Sequence, residues 1–281
     1  MPNSKIIRTA PEAQGDSVWT PPGGTLGELI ARAWSRAAAL DLKSLRDAER
    51  GPIPLLSHAL DGDHVQVIAE IKRKSPSKGP INASIDSGGQ AAMYEAGGAA
   101  AISVLTEPDR FGGSNADLAL ARASCTLPVL KKDFHVSEGQ IREAAMLGAS
   151  AALVIVRAIE PSRLAALAKA ARESAIELLF EVRDERELER ALHAGAIMIG
   201  VNNRDLETLQ IDPETVTRIV PLIPRDRIAI AESGYSTREE VESAAMAGAD
   251  AVLVGSSVSA SPNPASAVAS LAGVPKITRR A

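Results

Sequence analysis

The chain has 281 residues, 45% hydrophobic and 23% charged, the make-up of a globular protein long enough for two compact domains or one large barrel. Three Phe, two Trp, two Tyr and a net charge of -4 supply neither a stacking platform nor a basic footprint, so nucleic acid is not an expected partner. The lone Cys125 excludes an intramolecular disulfide, and His58, His64, His135 and His193 lack zinc-ligand spacing. No apolar run has the length of a membrane span or signal peptide. The expectation is a reducing, cytoplasmic setting without metal or membrane.

Residues 1–24, rich in Pro, Gly, Ser, Asn and Gln and without period, read as a mobile or loosely docked tail. Thr25 and Glu28 stand at capping-box spacing, and Leu26, Leu29, Ile30 and Ala33 form an apolar stripe, which predicts a helix able to plug one end of a barrel. Further on, three segments share one design: Ile141, Ala144, Ala145, Gly148; Leu188, Ala191, Leu192, Gly195; and Val241, Ala244, Ala245, Gly248. Each is one buried helix face ending in a glycine cap. Ser137 with Gln140, and Ser236 with Glu239, supply capping-box starts for two of them.

Short β-rich runs follow at Ala151–Val156, Ile197–Val201 and Ala251–Val254, and five more lie at Val65–Lys72, Ala100–Glu107, Pro128–Asp133, Glu177–Val182 and Arg227–Ser233. Eight strand–helix units in one series predict a (β/α)8 TIM barrel with an N-terminal helical extension, one domain over residues 25–281. A doubly wound open sheet is the alternative. It lacks support because no glycine-rich nucleotide turn follows the first strand.

In a barrel, polar groups at the C-terminal strand ends face the site. Alternation puts Glu70 and Lys72 on the inner face and Val67, Ala69 and Ile71 against the helices. Glu181 ends the fifth strand, Asn202 and Arg204 follow the sixth, and Glu232, Ser233, Gly234 and Gly255, Ser256 follow the seventh and eighth, where small residues suit a phosphate. Glu107 and Asp133 read as solvated strand punctuation. Lys131 and Lys132 cannot both point inward, and periodicity alone does not choose between them.

The segment Ala69–Gly79, with Glu70, Lys72, Arg73 and Ser75 inside it, resembles the first-strand motif of indole-3-glycerol phosphate synthases. The resemblance continues through Ser103–Glu107, Phe111, Lys132–Phe134, Glu181–Val182, Gly200–Leu206, Glu232–Gly234 and Gly255–Ser257, covering roughly Val65 to Leu271. It implies conversion of 1-(2-carboxyphenylamino)-1-deoxyribulose 5-phosphate to indole-3-glycerol phosphate, carbon dioxide and water, with no metal or organic cofactor. Lys132 is then the general acid, Glu70 and Lys72 serve dehydration, and Glu181 acts as base or orients the lysines. The resemblance assigns Lys72, Arg73 and Ser75 to the carboxylate and neighbouring polar groups, Phe111 to the aromatic ring, and Asn202 and Arg204 to organising the pocket. The backbone near Ser233, Gly234, Gly255 and Ser256 takes the phosphate. The expected partner is this phosphorylated small molecule, and the expected state a monomer.

Three departures stand out: the poorly matching tail and Leu40–His64 segment, Lys131 before the key lysine as a possible electrostatic neighbour, and Val258-Ser259 in place of a hydrophobic pair, a change assigned to packing. A sugar-phosphate isomerase of the phosphoribosylanthranilate type would share fold and phosphate site but lacks the first-strand signature. A silent phosphate-binding paralogue would not need the full Lys132, Glu70, Lys72, Glu181 set.

Overall fold

The computed structural model describes residues 19–44 and 53–279. Eight strands close a parallel barrel: β1 Gln66–Ile71, β2 Ala101–Leu105, β3 Val129–Lys132, β4 Ala151–Ile155, β5 Glu177–Val182, β6 Met198–Asn202, β7 Ile228–Glu232 and β8 Ala251–Val254. Each pairs with its sequence neighbours, and β8 returns to β1 through Gln66↔Ala251 to Ala69↔Val254. All eight predicted runs are present, and Val67, Ala69 and Ile71 are buried on the outer, helix-facing side.

The helices between strands follow the apolar stripes. In α5 (Glu138–Met146), α7 (Glu185–His193) and α9 (Arg238–Ala247) the leading apolar residue and the residue three positions on are buried. The three closing glycines have φ of 82°, 84° and 92°. Ser137 and Gln140 form the predicted capping box. In α9 the box is Thr237 with Glu240, one residue later than predicted, and Ser236 also hydrogen-bonds to Glu240.

Helix α1 (Gly24–Ala38) carries the stripe Leu26, Leu29, Ile30 and Ala33, but Thr25 does not cap it. Its N-terminus is capped from a distance: Thr25 N–H donates to Glu207 O at 3.1 Å and Gly23 N–H to Glu207 Oε2 at 3.2 Å. A tertiary acceptor has replaced the local one. The segment before it is also tied down, because Trp19 Nε1 donates to Arg157 O and Arg157 Nη1 donates to Thr20 O at 2.7 Å. The proposed tail of residues 1–24 thus includes docked residues from 19 onward, and residues 1–18 lie outside the described part.

α1 crosses the C-terminal end of the barrel, pairing Arg36 with Asp133 (2.7 Å), Arg32 with Asp109 (2.9 Å) and Glu28 with Arg110 (2.6 Å). On its outer side Trp19 and Trp34 flank a surface groove, with Arg163 stacked 4.7 Å over the Trp34 ring. The opposite end of the barrel is closed by a short helix, α2 (Leu56–Ala59), absent from the sequence-based prediction. Its Leu56 is fully buried, and Ser57 N–H donates to Glu177 at the start of β5. No helix among the described residues is long and apolar enough to cross a membrane.

Candidate active site

Strand register sets the site. Inward positions pair side by side around the mouth: Glu70↔Ser103, Leu105↔Lys132, Ile155↔Glu181, Glu181↔Gly200, Asn202↔Glu232 and Glu232↔Leu253. They open into a cavity of about 420 Å³ that Thr25 and Leu29 of α1 roof over. The adjacent lysines separate as alternation requires. Lys132 enters the mouth, whereas Lys131 points outward to Glu143 of α5 (3.1 Å) and Asp133 (3.7 Å), so its charge is compensated away from Lys132.

Lys132 Nζ hydrogen-bonds to Glu232 and lies 3.8 Å from Glu181 and 4.0 Å from Glu70, while Glu70 pairs with Lys72 at 2.7 Å. Burial alone would lower the Lys132 pKa. Glu232, Glu70 and Glu181 more than reverse this and hold the ammonium charged well above its ordinary range. Burial likewise pushes Glu70 up, but Lys72 and Lys132 outweigh it and keep Glu70 ionised. Glu181 goes the other way: burial and the Glu232 charge raise it to about 8, against the pull of Lys132 and Asn202. At neutral pH Glu181 therefore keeps its proton beside the ionised Glu70 and the charged Lys132.

Two glycines make room for these acids. A Cβ at Gly200 would sit 2.1 Å from Glu232 Oε1, and one at Gly255 would sit 2.4 Å from Glu70 Oε1 and 3.1 Å from Lys72 Nζ. Gly200 went unassigned in the sequence reading. A glycine in the middle of a strand was the available signal.

The remaining predicted residues divide. Ser75, Phe111, Asn202, Arg204, Ser233, Gly234 and Ser256 all line the cavity. Phe111 faces Phe134 with ring centroids 6.2 Å apart, and both rings lie on the β2–β3 side, across the barrel from the small residues after β7 and β8. Arg204 lines the wall with Nη1 held by Leu209 O at 2.7 Å. Arg73 is not brought in. Its guanidinium makes two 2.7 Å bonds to Asp117 of α4 (Asn115–Ser124) and anchors the root of a hairpin, Lys74–Ser75 with Gly79–Pro80, that places Lys78 on the cavity rim.

Glu107 and Asp133 are not solvated punctuation. Glu107 is fully buried and accepts the backbone N–H groups of Asp109, Arg110 and Phe111, thereby setting the loop that carries Phe111. Asp133 joins Arg36 of α1 to the Thr106 hydroxyl and its own neighbour Phe134 N–H. Ser259 is likewise more than packing: its buried hydroxyl bonds the backbone of both Glu70 and Lys72. His135, buried and bonded to Leu153 O, is pushed down to about 4 by burial and the Lys131 charge and stays neutral. Among the described residues no group of three His, Cys, Asp or Glu is placed to hold a metal ion.

Residues 34–271 match the family model described as indole-3-glycerol phosphate synthase. The chain is 47% identical over 242 residues to indole-3-glycerol phosphate synthase 1 of Streptomyces coelicolor, covering 86% of this chain and 90% of that protein. It is 46% identical over 239 residues to the indole-3-glycerol phosphate synthase of Mycolicibacterium gilvum, covering 84% and 88%. Among solved structures, a thiamine phosphate pyrophosphorylase from Pyrococcus furiosus shares the fold, with TM-score 0.55 and 14% identity over 74% of this chain and 94% of that one.

Proposed function

The chain belongs to the indole-3-glycerol phosphate synthase family, and from that premise we propose that Lys132 is the general acid of the reaction and that Glu70, Lys72 and Glu181 complete its proton transfers. The enzyme closes the ring of 1-(2-carboxyphenylamino)-1-deoxyribulose 5-phosphate and releases carbon dioxide and water, a step of tryptophan biosynthesis. One observation carries the assignment: Lys132 holds its ammonium among three acidic side chains from β1, β5 and β7, at the floor of the cavity.

In this reading the ring carbon bearing the carboxylate attacks the ketone carbon, and the carbonyl oxygen takes the Lys132 proton as its charge develops. The C–CO₂ bond electrons then return to the ring and restore aromaticity. Dehydration draws on the Lys72–Glu70 pair, where a donor for the leaving hydroxyl stands beside an acceptor for the carbon-bound proton. Glu181 orients Lys132 and holds an exchangeable proton. Phe111 and Phe134 take the aromatic ring, and backbone groups at Ser233, Gly234, Gly255 and Ser256 take the phosphate on the other side. Ser75 and Lys78 at the hairpin serve the carboxylate, with Arg73 acting only through the hairpin root. Every residue named belongs to one chain, which supports a monomer, and the biosynthetic role supports a cytoplasmic setting.

The test separates the two lysines. Lys132→Met keeps the aliphatic stem, removes the ammonium and should lower turnover roughly 10²-fold or more, read as indole fluorescence from added substrate. Lys131→Met should cost far less. Equal small losses would remove Lys132 from the mechanism.

A further inference from the structure

β1 runs further than the strand beside it. Its even-numbered residues bond toward β8, since Gln66 N–H donates to Asp250 O, whereas Val67 O takes Ala100 N–H on the β2 side. Pairing with β8 ends at Ala69↔Val254, where the chain leaves through Gly255 into α10 (Ser256–Ala260). In a parallel ladder, the carbonyl of one residue and the amide two residues on share a single partner residue's N–H and C=O. Glu70 O and Lys72 N–H form such a rung, and no strand residue stands opposite them.

The hydroxyl of Ser259 fills it. Ser259 Oγ donates to Glu70 O at 2.8 Å and accepts Lys72 N–H at 3.1 Å. Tyr94 OH lies 3.2 Å from the same Oγ and 3.1 Å from Glu70 O. Ser259 and Tyr94 have no solvent exposure, so no water can take over either bond. One hydroxyl thus pins the backbone on both sides of Ile71, from which the Glu70 carboxylate and Lys72 ammonium emerge 2.7 Å apart.

We propose that Ser259 is a positioning residue for the Glu70–Lys72 pair, its hydroxyl standing in for the missing ladder rung. The proposal rests on the reading that Glu70 and Lys72 act in the reaction. Ser259→Ala leaves the buried Lys72 N–H unpaired and Glu70 O with Tyr94 OH as its remaining donor, and frees this stretch of β1 to shift. It should lower kcat about tenfold with KM changed less than about twofold, and Ser259→Thr, which keeps the hydroxyl, should recover most of the loss.

A double-mutant cycle with Lys72→Met distinguishes positioning from general loosening. Lys72→Met alone should lower kcat, and Ser259→Ala added to it should cost less than about twofold, because the pair it positions is already broken. Equal factors in both backgrounds, or a Thr variant no better than Ala, would overturn the proposal. Full turnover in Lys72→Met would remove the role of Lys72 itself and the proposal with it. A crippled Lys72→Met beside a fully active Ser259→Ala would sink only the role of Ser259. Should Ser259→Ala fail to fold, Ser259→Cys keeps the volume with a weak donor and runs through the same cycle.

Discussion

A single methyl group measures how closely the acid–base cluster is set. Gly200→Ala would place a carbon inside contact distance of Glu232 Oε1, which must then turn away from Lys132, so we expect kcat to fall about tenfold or more with the fold retained. Gly255→Ala should lower kcat and weaken substrate binding together, because its new carbon meets Glu70 and Lys72 as well as the phosphate side. Gly234→Ala meets nothing closer than 3.9 Å and bears only a left-handed backbone, a strain of about 1 kcal/mol. Measuring kcat and KM separately for the three checks the ordering. Protonation offers a second measure. Glu181, raised to about 8 in the fold from an ordinary 4.5, contributes stability that is present below 4.5 and lost as pH rises through 8. Glu181→Gln does not titrate. The stability of the native protein relative to this variant should therefore drop between pH 5 and pH 8, read from denaturation midpoints. The inward face of β1 was legible from alternation, but the choice of Lys132 over Lys131 required either the family resemblance or the register. Arg73 was misplaced because sequence proximity to Lys72 says nothing of Asp117, 44 residues away.

Among the elements, strands and apolar helix stripes were readable because their periods are local, whereas caps and end pieces were not. Nothing near Thr25 announces that Glu207 will cap α1, and nothing in Leu40–His64 announces α2 under the barrel. The same holds at the C-terminal end. The Arg279 guanidinium, buried against β7 and β8, donates to Gly248 O and Arg227 O and pairs with Asp250 at 2.7 Å, and Val274 O takes Val65 N–H ahead of β1. Arg279→Ala would leave a buried carboxylate and two carbonyls short of donors, with Lys276 still on Asp250. We expect a loss of about 2–4 kcal/mol, roughly 5–10 °C in Tm, with kcat unchanged because this end lies opposite the cavity.

Over the whole molecule, the barrel separates tasks by end: α2 and the C-terminal segment secure the bottom, and α1 with the strand-end loops builds the site. The overall charge of -4 conceals this arrangement, since the ions that matter are paired within the mouth. Roofing by α1 also gives the molecule a built-in optical signal. Its two tryptophans sit at that helix, Trp19 just ahead of it and hydrogen-bonded to Arg157 O, Trp34 on it under the Arg163 guanidinium, while the barrel itself contains none. Emission excited in the indole band therefore reports the seating of α1 alone. Loosening its anchor with Glu207→Ala should shift that emission to the red while the barrel's circular dichroism stays put, and in any turnover trace the product's new indole will rise over light from two that never leave the lid.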